Sequence, residues 1–431
     1  MKKKLGVISL VATLLLVSVF AQARVREEWT NYLSNPTISQ FSELTPSADG
    51  GFYAITNYYG PYYGLNLARI EADGTVSWEL RYGEFYPHIP PDFIRFHHLK
   101  IGNTFDLKAL PDGGVSAIST YSDISDQVGI PELNDPEIPL NGYVISFFTI
   151  DGLLTGTRYI PQAVLDGNPI RTLEIDFTTD GGFLVRGECL YEVVVVKYDS
   201  EGNLSWMTPV GFRSSYLSSS ALAADGGVFV RAFADGGAYF YSVRLVRIGP
   251  NGEIIYDFIG DPCDDRLDFS RLIPLPDGAL LEVVGLGQGN HYESSSDFMV
   301  RQCSPEGVCG PRTALISFRA GHETKLRDVK LAPDGDIIAI GLKNRNGDKT
   351  GEPLVPWILK ASPAGEKAFE ATFGGAYEFE NVMEVLQIAD GNFLVTGFGY
   401  TDYLFEGRTR WGNLGSLTLL STGGPQRQHA K

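Results

Sequence analysis

The chain has 431 residues, with 35 Lys and Arg against 52 Asp and Glu, and a formal net charge of −17. A surface of this sign repels nucleic acid and anionic lipid, so neither is an expected partner. The acidic residues are spread along the chain rather than gathered in a tail, which fits a role in solubility.

The chain opens Met1-Lys2-Lys3-Lys4, continues through an apolar run from Leu5 to Phe20 and reaches Ala21-Gln22-Ala23. A basic start, a short apolar core and a small-x-small ending are the signature of a secretory signal peptide. Cleavage is therefore expected after residue 23, leaving residues 24–431 as one domain, secreted or periplasmic, with no membrane span and no Cys at the new N-terminus for lipidation.

From there an apolar stretch runs seven times into an Asp-Gly turn and out into another apolar stretch: Asp49-Gly50, Asp112-Gly113, Asp180-Gly181, Asp225-Gly226, Asp277-Gly278, Asp334-Gly335 and Asp390-Gly391. Gly accepts positive φ and Asp bonds its own backbone, so each turn predicts a tight hairpin. Looser turns alternate with these, most clearly at Asp73-Gly74, Glu201-Gly202, Asn251-Gly252 and Ala364-Gly365, each followed by an aromatic residue at Trp78, Trp206, Tyr256 or Phe369. The alternation makes the unit four strands, A to D, rather than two. In the third unit these are predicted at 172–177, 183–186, 193–198 and 203–207. Val193-Val194-Val195-Val196 is apolar at consecutive positions, as in a strand covered on both faces.

Seven units of about 58 residues suit four short strands with generous loops, and small sheets stacked about an axis make a propeller. The fold class is therefore all-β, a seven-bladed β-propeller of four-stranded antiparallel blades. The segment from Glu27 to Leu33, centred on Trp29, resembles a strand D that lacks its own strands A to C, while the seventh unit ends in Gly423-Gly424-Pro425 and lacks a good strand D. An N-terminal strand is expected to complete blade 7 and close the ring.

In such a ring the A-to-B and C-to-D turns share one face and the longer, irregular B-to-C and D-to-A connections share the other. Loops held by a rigid scaffold carry function more often than the scaffold. Three irregular connections at the seam between blades 7 and 1 are rich in aromatics. They supply Tyr58, Tyr59, Tyr62 and Tyr63; then Phe85, Tyr86 and His88; then Tyr400, Tyr403, Phe405, Arg408, Arg410 and Trp411. Aromatics with polar tips give large contact area at low entropic cost and suit a sugar, a peptide or a protein surface. The competing expectation is that these rings only pack long loops onto the blades.

Other chemistry is thinly represented. His97 and His98 are neighbours that would point to opposite faces of a strand, and His88, His291 and His322 have no partner at a metal-ligand spacing. Asp261-Pro-Cys-Asp264-Asp265 to Asp268, and Asn344 to Glu352, carry oxygen donors that invite a calcium test, but the flanking helices of an EF-hand are missing and solvated turns are the plainer expectation. No metal or cofactor is assigned, no catalytic residue is assigned, and no G-x-S-x-G elbow is present. Of four cysteines, Cys303 and Cys309 flank Ser-Pro-Glu-Gly-Val and suit a bridge across a hairpin, which leaves Cys189 and Cys263 as the other candidate pair.

The run Phe373-Gly374-Gly375, Val382 to Val385 and Ala389-Asp390-Gly391-Asn392-Phe393-Leu394-Val395-Thr396-Gly397 resembles the repeat of bacterial exported β-propellers of the SBBP type. That resemblance implies a secreted bacterial propeller and supplies no catalytic residues. The expected function is a monomeric, non-enzymatic binding or scaffold module for a protein or glycan; the alternative is a hydrolase or lyase of extracellular polymers using the same face.

Overall fold

The computed structural model describes residues 25–32, 39–59, 63–82, 99–123, 141–211, 215–235, 241–263, 267–287, 295–317, 324–344, 354–373, 381–388, 391–405 and 408–422. They form seven four-stranded antiparallel blades and a small hairpin, and among the described residues there is no helix. Blade 1 runs from Ser39–Pro46 to Val76–Tyr82, blade 2 from Leu99–Ala109 to Leu154–Pro161, and blade 3 from Arg171–Phe177 to Leu204–Pro209. Blade 4 runs from Ser215–Leu222 to Ile254–Cys263, blade 5 from Leu267–Pro274 to Thr313–Ser317, and blade 6 from Thr324–Leu331 to Lys367–Thr372. Blades 5 and 6 are joined into one continuous sheet by a single rung, Ser295 to Thr324.

Blade 7 takes strands A to C from Asn381–Gln387, Phe393–Phe405 and Arg408–Thr422, and its strand D is Val25–Tyr32 from the other end of the chain. The N-terminal strand pairs antiparallel with residues 416–422, with Trp29 opposite Leu419. The ring is closed as expected, and the outermost edge of blade 7 is paired by its first strand rather than its last. Leu386, Ile388 and Leu394 of blade 7 then share one apolar cluster with Leu44, Phe52, Ala54, Ala68 and Ile70 of blade 1.

The Asp-Gly hairpins all use one geometry. In blade 3 Gly181 N–H donates to Thr178 O, Thr178 N–H donates to Gly182 O, and the Asp180 carboxylate accepts from Gly182 N–H. Gly181 sits at φ +88°, where a side chain would be strained. Buried second and third strands supply the core: Val193, Val194, Val195 and Val196 are all 0% exposed, so this strand is covered on both faces.

Two seams tie blade to blade. At the outer rim, the strand D aromatics Trp78, Trp206 and Tyr256 lie beneath the following blade's C-to-D glycine, and Ile160 of blade 2 takes the same place against Gly202. Trp78 Nε1 donates to Ile150 O at 2.7 Å, and Trp206 Nε1 donates to Pro250 O at 2.8 Å. A Cβ on Gly252 would come within 2.9 Å of the Trp206 ring, so that glycine is required by packing as well as by its φ of +86°. Around the axis, strands A lie beside one another, each bent by a β-bulge.

Candidate functional site

The A-to-B face is chemically closed. The carboxylates of Asp49, Asp112, Asp180, Asp225, Asp277 and Asp334 accept from their own backbone, and four of them are also held by a cation from strand C of the same blade. Arg69 bonds Asp49 at 2.6 Å, Lys197 bonds Asp180 at 2.8 Å and Arg247 bonds Asp225 at 2.5 Å, while Lys360 bonds Asp334. Each cation is almost fully buried while its carboxylate stays about half exposed. The hydrogen bond from Arg69 holds the Asp49 carboxyl well below the usual range, at about 2. For Asp180, burial pushes the other way but is outweighed by Lys197, Thr178 and the Gly182 amide, again giving about 2.

The axial strands bring carboxylates together between blades 2 and 4. Asp106, Glu174 and Asp176 gather about Arg186, which is 3% exposed. Arg186 Nε donates to Glu174 at 3.1 Å and Nη2 pairs with Asp176; Glu174 also accepts from Ser220 Oγ of blade 4. Asp106 accepts from the amides of Leu107 at 2.8 Å and Phe177 at 2.6 Å, the second belonging to the next blade. Asp328 repeats the motif, accepting from the Val385 amide at 3.1 Å. Burial, and then the Asp176 charge, push the Asp106 carboxyl up to about 7. Such a group invites an acid-base reading, but its two oxygens bond backbone amides and its neighbours hold Arg186. The cluster stitches blades together. Among the described residues no group of three or more His, Cys, Asp or Glu is arranged to hold a metal ion.

A second buried network joins blades 4 and 5. Glu282, 0% exposed, accepts a hydrogen bond from Arg231 Nε at 2.9 Å and forms an ion pair with Arg301, Nε to Oε2 at 2.5 Å. Breaking one partner of such a buried pair is strongly destabilising, by about 3–5 kcal/mol, because a charge is left without compensation.

On the B-to-C face, Tyr59 pairs in register with Tyr63 at the end of the blade 1 hairpin, and Tyr58 pairs with Ser39. Residues 400–411 of blade 7, expected to form an irregular connection, are instead mostly regular strand. Phe393–Phe405 and Arg408–Thr422 are 13 and 15 residues long, and pair without interruption from Phe393 with Leu420 to Phe405 with Arg408. Among the described residues, strand A pairs with this hairpin as far as Phe398 and the N-terminal strand as far as Ser416. Tyr400, Tyr403, Arg408 and Trp411 therefore lie on the paired strands of this hairpin rather than on an irregular loop. Tyr62, Tyr86, His88, His97, His98, His291 and His322 lie outside the described residues, as does most of 344–352; of 261–268, only 264–266 do.

Blade 3 adds a feature that sequence inspection missed. Its B-to-C turn is Leu190-Tyr191, with φ of +50° and +69°, a two-residue turn usually built from Asn and Gly. Each side chain in this conformation costs about 1–2 kcal/mol. Both are solvent-facing, at 60% and 70% exposure. Beside them, the hairpin Val164–Leu165 and Asn168–Pro169 turns at Asp166-Gly167. The Cys189 thiol lies beneath it, 3.7 Å from the carbonyl oxygens of Leu165 and Asn168. Cys189 is accordingly a free, buried thiol, which corrects the expected pairing with Cys263: burial against this hairpin uses the position that a bridge would need. The other pairing stands, with Cys303 and Cys309 disulfide-bonded across the blade 5 C-to-D turn.

No family model and no curated protein matches the chain. Among solved structures it is similar to the polysaccharide lyase Uly1, with a TM-score of 0.50 and 11% identity over 91% of each chain. It is also similar to prolyl oligopeptidase B from Galerina marginata, with a TM-score of 0.49 and 13% identity over 88% of this chain and 51% of that one, so it spans about half that enzyme's length. The β-propeller domain of the Trilobed protease from Pyrococcus furiosus gives a TM-score of 0.46 and 8% identity, over 88% of this chain and 96% of that domain. At these identities the common property is the propeller.

Proposed function

We propose that this protein is an exported, monomeric propeller, related in its repeats to the SBBP type, that acts as a non-enzymatic binding or scaffold module for a protein or glycan. The ligand meets the B-to-C face at the seam of blades 7 and 1. The supporting observation is the long paired hairpin formed by 393–405 and 408–422, whose far part is where the sequence concentrates Tyr, Trp and Arg. The opposite face is occupied by turns that satisfy their own hydrogen bonds. The Cys303–Cys309 bridge fits an oxidising compartment. Among the described residues no helix is long and apolar enough to cross a membrane.

The test uses the full chain on an array of neutral and acidic glycans, and as bait in native extracellular and periplasmic extracts. The wild type should retain a ligand, and Tyr62→Ala with Trp411→Ala should lose it without a change in melting temperature. Turnover of chromogenic polysaccharides, with no ligand retained from either source, would overturn binding in favour of a hydrolase or lyase.

A further inference from the structure

Among the described residues, three besides glycine sit at positive φ: Asp166 at +50°, Leu190 at +50° and Tyr191 at +69°. All three lie in two hairpins of blade 3 that meet over the Cys189 thiol. Asp tolerates this region of backbone space, whereas for bulky side chains it is an outlier. Such strain persists only where the surroundings impose it, and it collects at working surfaces. Here the imposing element is the pairing beneath the turn, unbroken from Phe183 with Tyr198 to Cys189 with Glu192, above the fully buried Val193 to Val196.

Packing does not explain the choice of residues. Leu190 is 60% exposed, Tyr191 is 70% exposed, and Val164 on the adjoining hairpin is 54% exposed. Asn-Gly would make the same two-residue turn without strain and without placing apolar area in water. Leu and Tyr are therefore unfavourable here on both counts, and what the turn presents is their side chains.

The surrounding chemistry narrows what they meet. A hairpin tip is convex, whereas sugars and other small ligands are held in concave sites. Leu190 and Val164, moreover, offer a sugar no hydrogen bond. Strand addition is disfavoured too, because each arm of the adjoining hairpin is two residues long and one ends in Pro169, which has no N–H. Arg171, at the start of strand A, lies 3.6 Å from Glu188 yet keeps 77% of its side chain exposed. Its planar fork can take a further carboxylate. A second copy of the chain is a poor occupant, since each copy carries a net charge of −17.

We propose that the Leu190-Tyr191 turn is a docking knob for a different protein, the two side chains entering an apolar cleft of that partner and Arg171 meeting a carboxylate at the cleft's rim. Tyr and Arg are residues in which binding energy often concentrates, and a turn already held in one conformation loses little freedom on docking. Blade 2 separates this surface from the seam of blades 7 and 1, so the inference goes beyond the role proposed for that seam.

The experiment replaces Tyr191 of the full chain by the photo-reactive ring of benzoylphenylalanine and irradiates it in native extracellular and periplasmic extracts. One discrete protein should be crosslinked. Excess wild type should displace it, as should the Tyr62→Ala, Trp411→Ala variant, in which this turn is intact. The Leu190→Asn, Tyr191→Gly variant should compete about 30-fold less well, and Arg171→Gln about ten-fold less well. The turn variant should also melt about 2 °C above wild type, because its backbone is no longer strained. A lower melting temperature would show that the two side chains serve the fold, and would overturn the proposal. So would the lack of any adduct that wild type displaces, or undiminished competition by the turn variant. Failure of the Tyr62→Ala, Trp411→Ala variant to compete would assign the adduct to the seam instead. An adduct with a second copy would overturn the foreign partner in favour of an interface between copies, and undiminished competition by Arg171→Gln would overturn the carboxylate at the rim.

Discussion

A carboxyl group taken out of water resists ionising unless hydrogen bonds or cations compensate, and this chain contains both outcomes. Asp49, exposed and held by Arg69, sits at about 2, whereas Asp106, enclosed near Asp176, sits at about 7. Linkage gives them opposite signs. The favourable contribution of Asp49 is present above its unfolded value of 3.8 and is lost as pH falls towards 2. That of Asp106 is complete below 3.8 and is lost as pH rises through about 7. Asp106→Asn should therefore gain stability relative to the wild type by about 2 kcal/mol between pH 5 and pH 8, read from denaturant unfolding at the two pH values. A difference that does not move with pH would contradict the raised Asp106 carboxyl. The turn aspartates were legible in the sequence because Asp-Gly is a local signal. Their cations were not, because Arg69 follows Asp49 by 20 residues and meets it only when strand C pairs with strand B. A basic residue just inside the end of an apolar strand, as in Val196-Lys197-Tyr198 and Val246-Arg247-Ile248, is the trace it leaves.

The closing strand shows the same division between local and distant information. Residues 25–32 have no hairpin partner nearby, and their pairing with 416–422 spans the whole chain. The likeness of the Trp29 segment to a strand D nevertheless made it readable, because a repeat tells each piece where it belongs. Deletion of residues 24–34 should expose the edge of 408–422 and lower the melting temperature by about 10 °C or more, a loss of several kcal/mol in a domain of this size. An unchanged melting curve would show that the ring does not depend on this closure. The paired strands 393–405 and 408–422 differ from the irregular connection that their aromatics suggest; in the sequence, the alternation on either side of Glu406-Gly407 is the hairpin signal. The Leu190-Tyr191 turn gave no such signal, since neither residue favours positive φ and the surrounding pairing imposes it.

At the scale of the molecule, one ring carries two faces with different duties. Asp-Gly turns close the hairpins within each blade, strand D aromatics beneath the next blade's glycine and axial carboxylates bonded to neighbouring amides hold blade to blade, and together they consume the polar groups that otherwise resemble a site. The other face carries the long hairpin of blade 7 and the exposed Leu190-Tyr191 turn. Hydrogen–deuterium exchange of the full chain with and without the glycan or protein that it retains from the array or the extracts tests this division most directly. Slowed exchange is predicted in 58–63 and 400–413, with the Asp-Gly turns at 47–51, 178–182 and 223–227 unchanged. Protection confined to those turns, or no protection anywhere, would contradict it.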